Sequence, residues 1–95
     1  MPRFEKVGYI GVDSGQIMLI DPCYIKKDFE SEFKDKPDLN YAGACEVTLS
    51  KDGCGNFGGI EMAFATRTAF GDGRYPVYVK RCPEGRILEV KVKFA

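Results

Sequence analysis

Apolar residues in this chain recur with a period of two, in short runs cut by turns of glycine, proline and aspartate, and that period is the signature of a half-buried β-strand. The carboxyl-terminal unit is the clearest instance. After the turn-forming Cys82-Pro83-Glu84-Gly85, Leu88, Val90, Val92 and Phe94 alternate with Ile87, Glu89, Lys91 and Lys93, which predicts a half-buried strand. Upstream, residues 74–81 set Tyr75, Val77 and Val79 opposite Tyr78 and Lys80, with Pro76 marking an edge or a bulge. Residues 60–69 set Ile60, Met62 and Phe64 opposite Glu61, Ala63, Ala65 and Arg67, and residues 44–50 alternate Cys45, Val47 and Leu49 with Glu46, Thr48 and Ser50. Each reads as a strand.

Residues 4–20 read as a hairpin, because Val7, Tyr9, Ile10 and Val12 lead into Asp13-Ser14-Gly15-Gln16, after which Ile17-Met18-Leu19-Ile20 resumes the apolar run. Gly15 can take the positive φ such a loop needs. Asp21-Pro22 ends the run, since proline brings no amide hydrogen to a ladder. Residues 51–59 carry four glycines and read as a turn, or as a stretch of backbone that another group can approach closely. One segment breaks the period: Ile25, Phe29 and Phe33 recur every four residues among charged neighbours, which predicts a short helix over about residues 26–35. Lys36-Pro37 stops it. The expected fold is mainly β, an antiparallel rolled sheet or small sandwich of five to seven strands with that one helix.

With 95 residues the expectation is a single domain, 1–95, whose thin core buries roughly 60–65% of the unfolded chain's surface. A homodimer interface would add to that core. Charges stand where a signal peptide needs an apolar stretch, in Met1-Pro2-Arg3-Phe4-Glu5-Lys6, and no run approaches the roughly 20 apolar residues of a membrane span. A cytoplasmic location follows, with Cys23, Cys45, Cys54 and Cys82 as free thiols.

Fourteen cationic and fourteen acidic side chains cancel, and the halves differ only modestly: seven against ten over residues 1–60, seven against four over residues 61–95. That balance argues against nucleic acid as a partner, since such proteins usually carry a clear basic excess.

The segments Gly11-Val12-Asp13-Ser14-Gly15-Gln16, Asp21-Pro22-Cys23-Tyr24 and Gly71-Asp72-Gly73-Arg74-Tyr75-Pro76-Val77-Tyr78 together resemble a family of small, uncharacterised β proteins of bacteria and their phages. The resemblance spans most of residues 8–79. It implies a bacterial or phage origin and no particular activity.

The residues of these segments carry the candidate chemistry. Asp21, Cys23 and Tyr24 place an acid, a thiol and a phenol after an apolar strand and could line a pocket; the simpler account makes Asp21 a cap and Cys23 a small core residue. Arg67 and Thr68, with Asp72 and Tyr75, offer a guanidinium, hydroxyls and a carboxylate that could grip a polar or anionic ligand. The simpler account of Gly71-Asp72-Gly73 is a tight turn. With no histidine, neither a Ser-His-Asp nor a Cys-His pair can be built. The four cysteines are separated by 21, 8 and 27 residues, without the close ligand pair of a zinc site, so no metal and no cofactor are expected. The leading reading is a non-catalytic module that binds a small polar or anionic ligand, or a protein, through Asp21, Cys23, Tyr24, Arg67, Thr68, Asp72 and Tyr75. Its rivals are a small enzyme using Cys23 or an aspartate-bound metal, and an assembly protein.

Overall fold

The computed structural model of the chain describes residues 3–24, 38–59 and 61–95. Within them the protein is mainly β, with strands β1 (Phe4–Val12) and β2 (Gln16–Ile20), a helix α1 (Tyr41–Thr48), then strands β3 (Cys54–Phe57), β4 (Ala63–Arg67), β5 (Gly73–Arg81) and β6 (Ile87–Val92). The strands form two antiparallel three-stranded sheets, one in each of two compact units. The helix expected over residues 26–35 lies outside the described residues.

The first unit comprises the chain up to Gly15 and from Ala69 onward, and its sheet has the order β1-β5-β6. β1 runs against β5 from Phe4↔Lys80 to Val12↔Gly73, and the register slips between Lys6 and Gly8, leaving Val7 as an extra residue. That is a β-bulge. Alternation puts Tyr75, Val77 and Val79 on one face of β5, where Tyr75 and Val79 are buried and Tyr75 meets the Phe94 ring edge-on at 5.4 Å. Pro76 sits on the central strand rather than at an edge, and the ladder shows how. Its carbonyl accepts a hydrogen bond from the Lys93 amide at 3.2 Å, so its missing N–H faces β6 just beyond the last full pair, Val77↔Val92. β6 was expected to be half-buried, yet Leu88 and Val90 are 57% and 60% exposed. An edge strand has a neighbour on one flank only, and alternation alone cannot tell an edge from a centre.

The second unit, Gln16–Thr68, has the sheet order β2-β4-β3 with α1 packed on β3 and β4. Leu39, Ala44, Phe57, Ala63 and Ala65 form its core, flanked by Met18, Ile20, Val47 and Met62. The alanines on α1 and β4 let helix and sheet approach closely. Three expectations are corrected in this unit. Residues 44–49 belong to a helix and its C-cap, not to a strand, and Ser50 lies just beyond: the Asn40 side chain accepts the Gly43 amide at 2.8 Å as N-cap, and Ala42, Cys45 and Thr48 recur every three residues on the buried side. Leu49, placed on the core face by the period of two, is 77% exposed. The glycine-rich stretch 51–59 contains strand β3, paired with β4 from Cys54↔Thr66 to Phe57↔Ala63. Residues 4–20 bend at Asp13-Ser14-Gly15 as expected, but β1 and β2 pair with β5 and β4 and not with each other. Turn chemistry says where a chain bends, not which strands then meet.

A buried polar cluster ties β2 to α1. The Thr48 hydroxyl donates to Gln16 Oε1 at 2.8 Å, and Gln16 Nε2 reaches Cys45 Sγ at 3.3 Å. Satisfying these groups removes the cost of burying Thr48.

Candidate functional site

The seven residues singled out from sequence divide between the units: Asp21, Cys23, Tyr24, Arg67 and Thr68 belong to Gln16–Thr68, and Asp72 and Tyr75 to the other. Most have local structural duties. Asp21 opens a single 3-10 turn, Pro22–Tyr24, with its carboxylate accepting the Cys23 amide at 3.0 Å and its carbonyl accepting the Tyr24 amide at 2.9 Å. It is a cap. Cys23 is exposed, not a core residue, and the adjacent Asp21 carboxylate holds its thiol above the ordinary cysteine range, chiefly by accepting a hydrogen bond from it. A carboxylate beside a thiol opposes formation of the nucleophilic thiolate. Arg67 donates its backbone amide to Gly53 at 2.8 Å, and its guanidinium lies where a Gly53 side chain would stand. Thr68 is buried.

Asp72 closes the far end of the β1·β5 ladder, its Oδ1 accepting the Gly15 amide at 2.7 Å beside the last pair, Val12↔Gly73. Gly15 has φ +67°, which a side chain would resist. Tyr75 buries its ring and donates its hydroxyl to the Gly71 carbonyl at 2.8 Å, so its polar handle is spent on the turn that begins β5. Among the described residues no three Cys, Asp or Glu side chains gather as metal ligands would.

Sequence reading missed the other face of the first sheet. Register and alternation place Phe4, Lys6, Tyr9 and Gly11 of β1 on one side with Arg74, Pro76, Tyr78 and Lys80 of β5 and with Glu89 and Lys91 of β6. Lys93 continues the same parity opposite Pro76. Five cations share this face with one carboxylate, Glu89, which pairs with Lys80 at 3.6 Å. The bulge at Val7 is what assembles the β1 contribution. In a strictly alternating strand, Lys6 and Tyr9, three residues apart, would point to opposite sides; here Lys6 Nζ donates to the Tyr9 hydroxyl at 2.9 Å.

Cations and rings interleave across the face. The Arg74 guanidinium stacks on Tyr9 with its central carbon 3.7 Å from the ring centroid, reaching diagonally over Gly11, its direct partner, which has no side chain in the way. Lys91 and Lys80 lie 4.0 and 4.6 Å from the centroid of Phe4, and Lys91 lies 5.2 Å from that of Tyr78. Lys6 is 5.1 Å from the Tyr9 centroid, but its ammonium sits at the phenol oxygen rather than over the ring. That bond lowers the pKa of Tyr9 and raises that of Lys6, because each charged form is stabilised by the other group. Tyr9 remains 45% exposed. The one signal in the sequence is the polar parity of β5 and β6, where Arg74, Tyr78 and Lys80 alternate with apolar residues as Lys91 and Lys93 do. Uniting it with Lys6 and Tyr9 requires knowing both the pairing and the bulge.

Comparison with protein-family models, with curated proteins and with solved structures found no match to this chain. No helix among the described residues is long and apolar enough to cross a membrane.

Proposed function

We propose that this chain is a non-catalytic binding module for an anionic ligand, and that the ligand lies on the basic, aromatic face of β1, β5 and β6. One observation carries the reading: a chain of zero net charge collects five cations against one carboxylate, with three aromatic rings, on one face of a three-stranded sheet. Such segregation focuses positive potential where a neutral total predicts none. The absence of histidine and the carboxylate beside Cys23 both weigh against the enzymatic alternative. A cytoplasmic setting belongs to the same proposal, supported by four free thiols, and the resemblance of its motifs to small bacterial and phage-carried proteins supports such a source.

The test is an amide chemical-shift titration with inorganic polyphosphate. Shifts concentrated in β1, β5 and β6, and abolished by Lys6→Glu with Lys91→Glu, are expected. No shifts, or shifts confined to Gln16–Thr68, would overturn the reading.

Exposed Ile87, Leu88 and Val90 on the edge strand β6 favour a second reading, in which that edge pairs with a second copy. Sedimentation at two concentrations, with Val90→Lys as the blocking variant, separates a dimer from a monomer.

A further inference from the structure

We propose that the anionic ligand of this face is single-stranded nucleic acid, its phosphates meeting the cations and its bases stacking on Tyr9, Tyr78 and Phe4. This rests on the anion-binding reading and narrows it to one class of ligand.

Three features discriminate among anions. First, the cations do not converge: Lys6, Arg74, Lys91 and Lys93 are exposed and spread over three strands. A small anion would meet one or two of them, whereas a polyanion running across the strands meets several at once. Second, the cations are interleaved with rings. An acidic peptide would use the charges and leave the rings idle; a nucleic acid has a π-face for every phosphate. Third, the face is a sheet surface on which Tyr9, Arg74 and Lys91 are exposed and Phe4 and Tyr78 half-buried, and in a duplex the bases are already stacked on one another, out of reach of a flat platform. A single strand can splay its bases onto it.

The cation–π contacts are compatible with this use. The cations of Tyr9, Phe4 and Tyr78 stand over rings at a surface, where such contacts are weak, so a phosphate can draw an ammonium aside and free a ring for a base. Arg74 can do both at once, keeping its plane on Tyr9 while donating to phosphate from its edge. The neutral total charge, which argued against nucleic acid, averages over faces that the fold keeps apart.

The experiment is fluorescence anisotropy of the full chain with labelled 12-nucleotide single strands of RNA and of DNA. The same sequence as a duplex, inorganic polyphosphate and a polyglutamate peptide serve as competitors. Binding with Kd between about 1 and 100 μM near physiological salt is expected, as for sequence-independent contacts. With four unpaired cations engaged, log Kd against log salt should have a slope of about 3 in magnitude. Tyr9→Leu should weaken single-strand binding roughly fivefold or more while Tyr9→Phe, which keeps the ring, leaves it within about twofold. Lys91→Glu should weaken single strands and polyphosphate alike. Both tyrosine variants lose the bond to Lys6, so a difference between them reports the ring and not that bond or a folding defect; a circular dichroism melt checks the fold of each.

Polyphosphate binding with no preference for single strands, or with equal effects of Tyr9→Leu and Tyr9→Phe, would overturn the nucleic-acid proposal and leave the anion-binding reading standing. Tighter competition by duplex or by polyglutamate than by single strands would overturn it in favour of that partner. No binding of any polyanion would overturn both. RNA and DNA arms that differ would assign the sugar.

Discussion

Replacing Gly43 by alanine should destabilise this protein, against the usual rule for helices. Gly43 lies in the first turn of α1, and an alanine in an ordinary helix interior would be worth about 1 kcal/mol over glycine. Here its Cβ would overlap the Asp38 carbonyl oxygen and stand 3.0 Å from the Phe57 ring. Asp38 cannot yield freely, because its carbonyl accepts the Asn40 amide at 2.8 Å and its amide donates to Asn40 Oδ1 at 3.1 Å. Moving the carbonyl forfeits a hydrogen bond, roughly 1 kcal/mol, and crowding a packed site costs about 1–3 kcal/mol more. Set against the propensity gain, the net loss is about 2 kcal/mol. For a chain of this size that lowers Tm by roughly 8–16 °C in a calorimetric or circular dichroism melt. Gly55→Ala is the matched control in the same unit: a Cβ there meets only Val47, at 3.7 and 3.8 Å, so it should be neutral or mildly stabilising. A Gly43→Ala melt at or above that of the parent, or a Gly55→Ala loss as large, would refute the reasoning.

Asn40→Ala should cost about 1 kcal/mol by removing the acceptor for the Gly43 and Asp38 amides, while Asn40→Asp, which keeps it, should retain stability in urea unfolding. Tyr9 should ionise below the usual tyrosine range in an ultraviolet titration, since Lys6 stabilises its phenolate, and Lys6→Met should move its ionisation upward, back toward that range. Cys23 should react with iodoacetamide more slowly than Cys54 near neutral pH, because its raised pKa leaves less thiolate; Asp21→Asn should speed it, and a fast parent Cys23 would contradict the assignment. Asp72→Ala should accelerate hydrogen exchange at the Gly15 amide, with a stability cost of roughly 1 kcal/mol in keeping with an exposed bond.

Local chemistry was legible in the sequence and partnership was not. The strand at Gly73–Arg81, the bend at Asp13-Ser14-Gly15 and the capping duty of Asp21 follow from residues a few positions apart, and the fold follows them. α1 was misread because the alternation of Cys45, Val47 and Leu49 imitates a strand over so short a run, although the helix buries Cys45 and Thr48 and leaves Leu49 exposed. The deciding residues, Asn40 as cap and Ala42 on the buried side, lie ahead of it. Gly55 disguised β3, where a glycine marks close approach to Val47 rather than a turn. Of the candidate site, Asp72 and Tyr75 were noticed for their polar groups, which the fold spends on its own backbone. The basic face stayed hidden because it is written in three separated segments, and its parity changes at a bulge that no local signal announces.

Position 7 thereby acts as a spacer whose arithmetic matters more than its chemistry. Deleting Val7 would join Lys6 directly to Gly8 in regular alternation and keep Phe4, Lys6 and Tyr9 on their present side. Drawing Val7 itself into strict alternation, with no bulge, would turn Phe4 and Lys6 away and bring Glu5 round in their place, exchanging a cation for an anion without altering any side chain. For a chain under selection for this surface, the strand keeps the sign it presents so long as Val7 is either held out of the alternation or lost, and reverses it if the bulge is ironed flat.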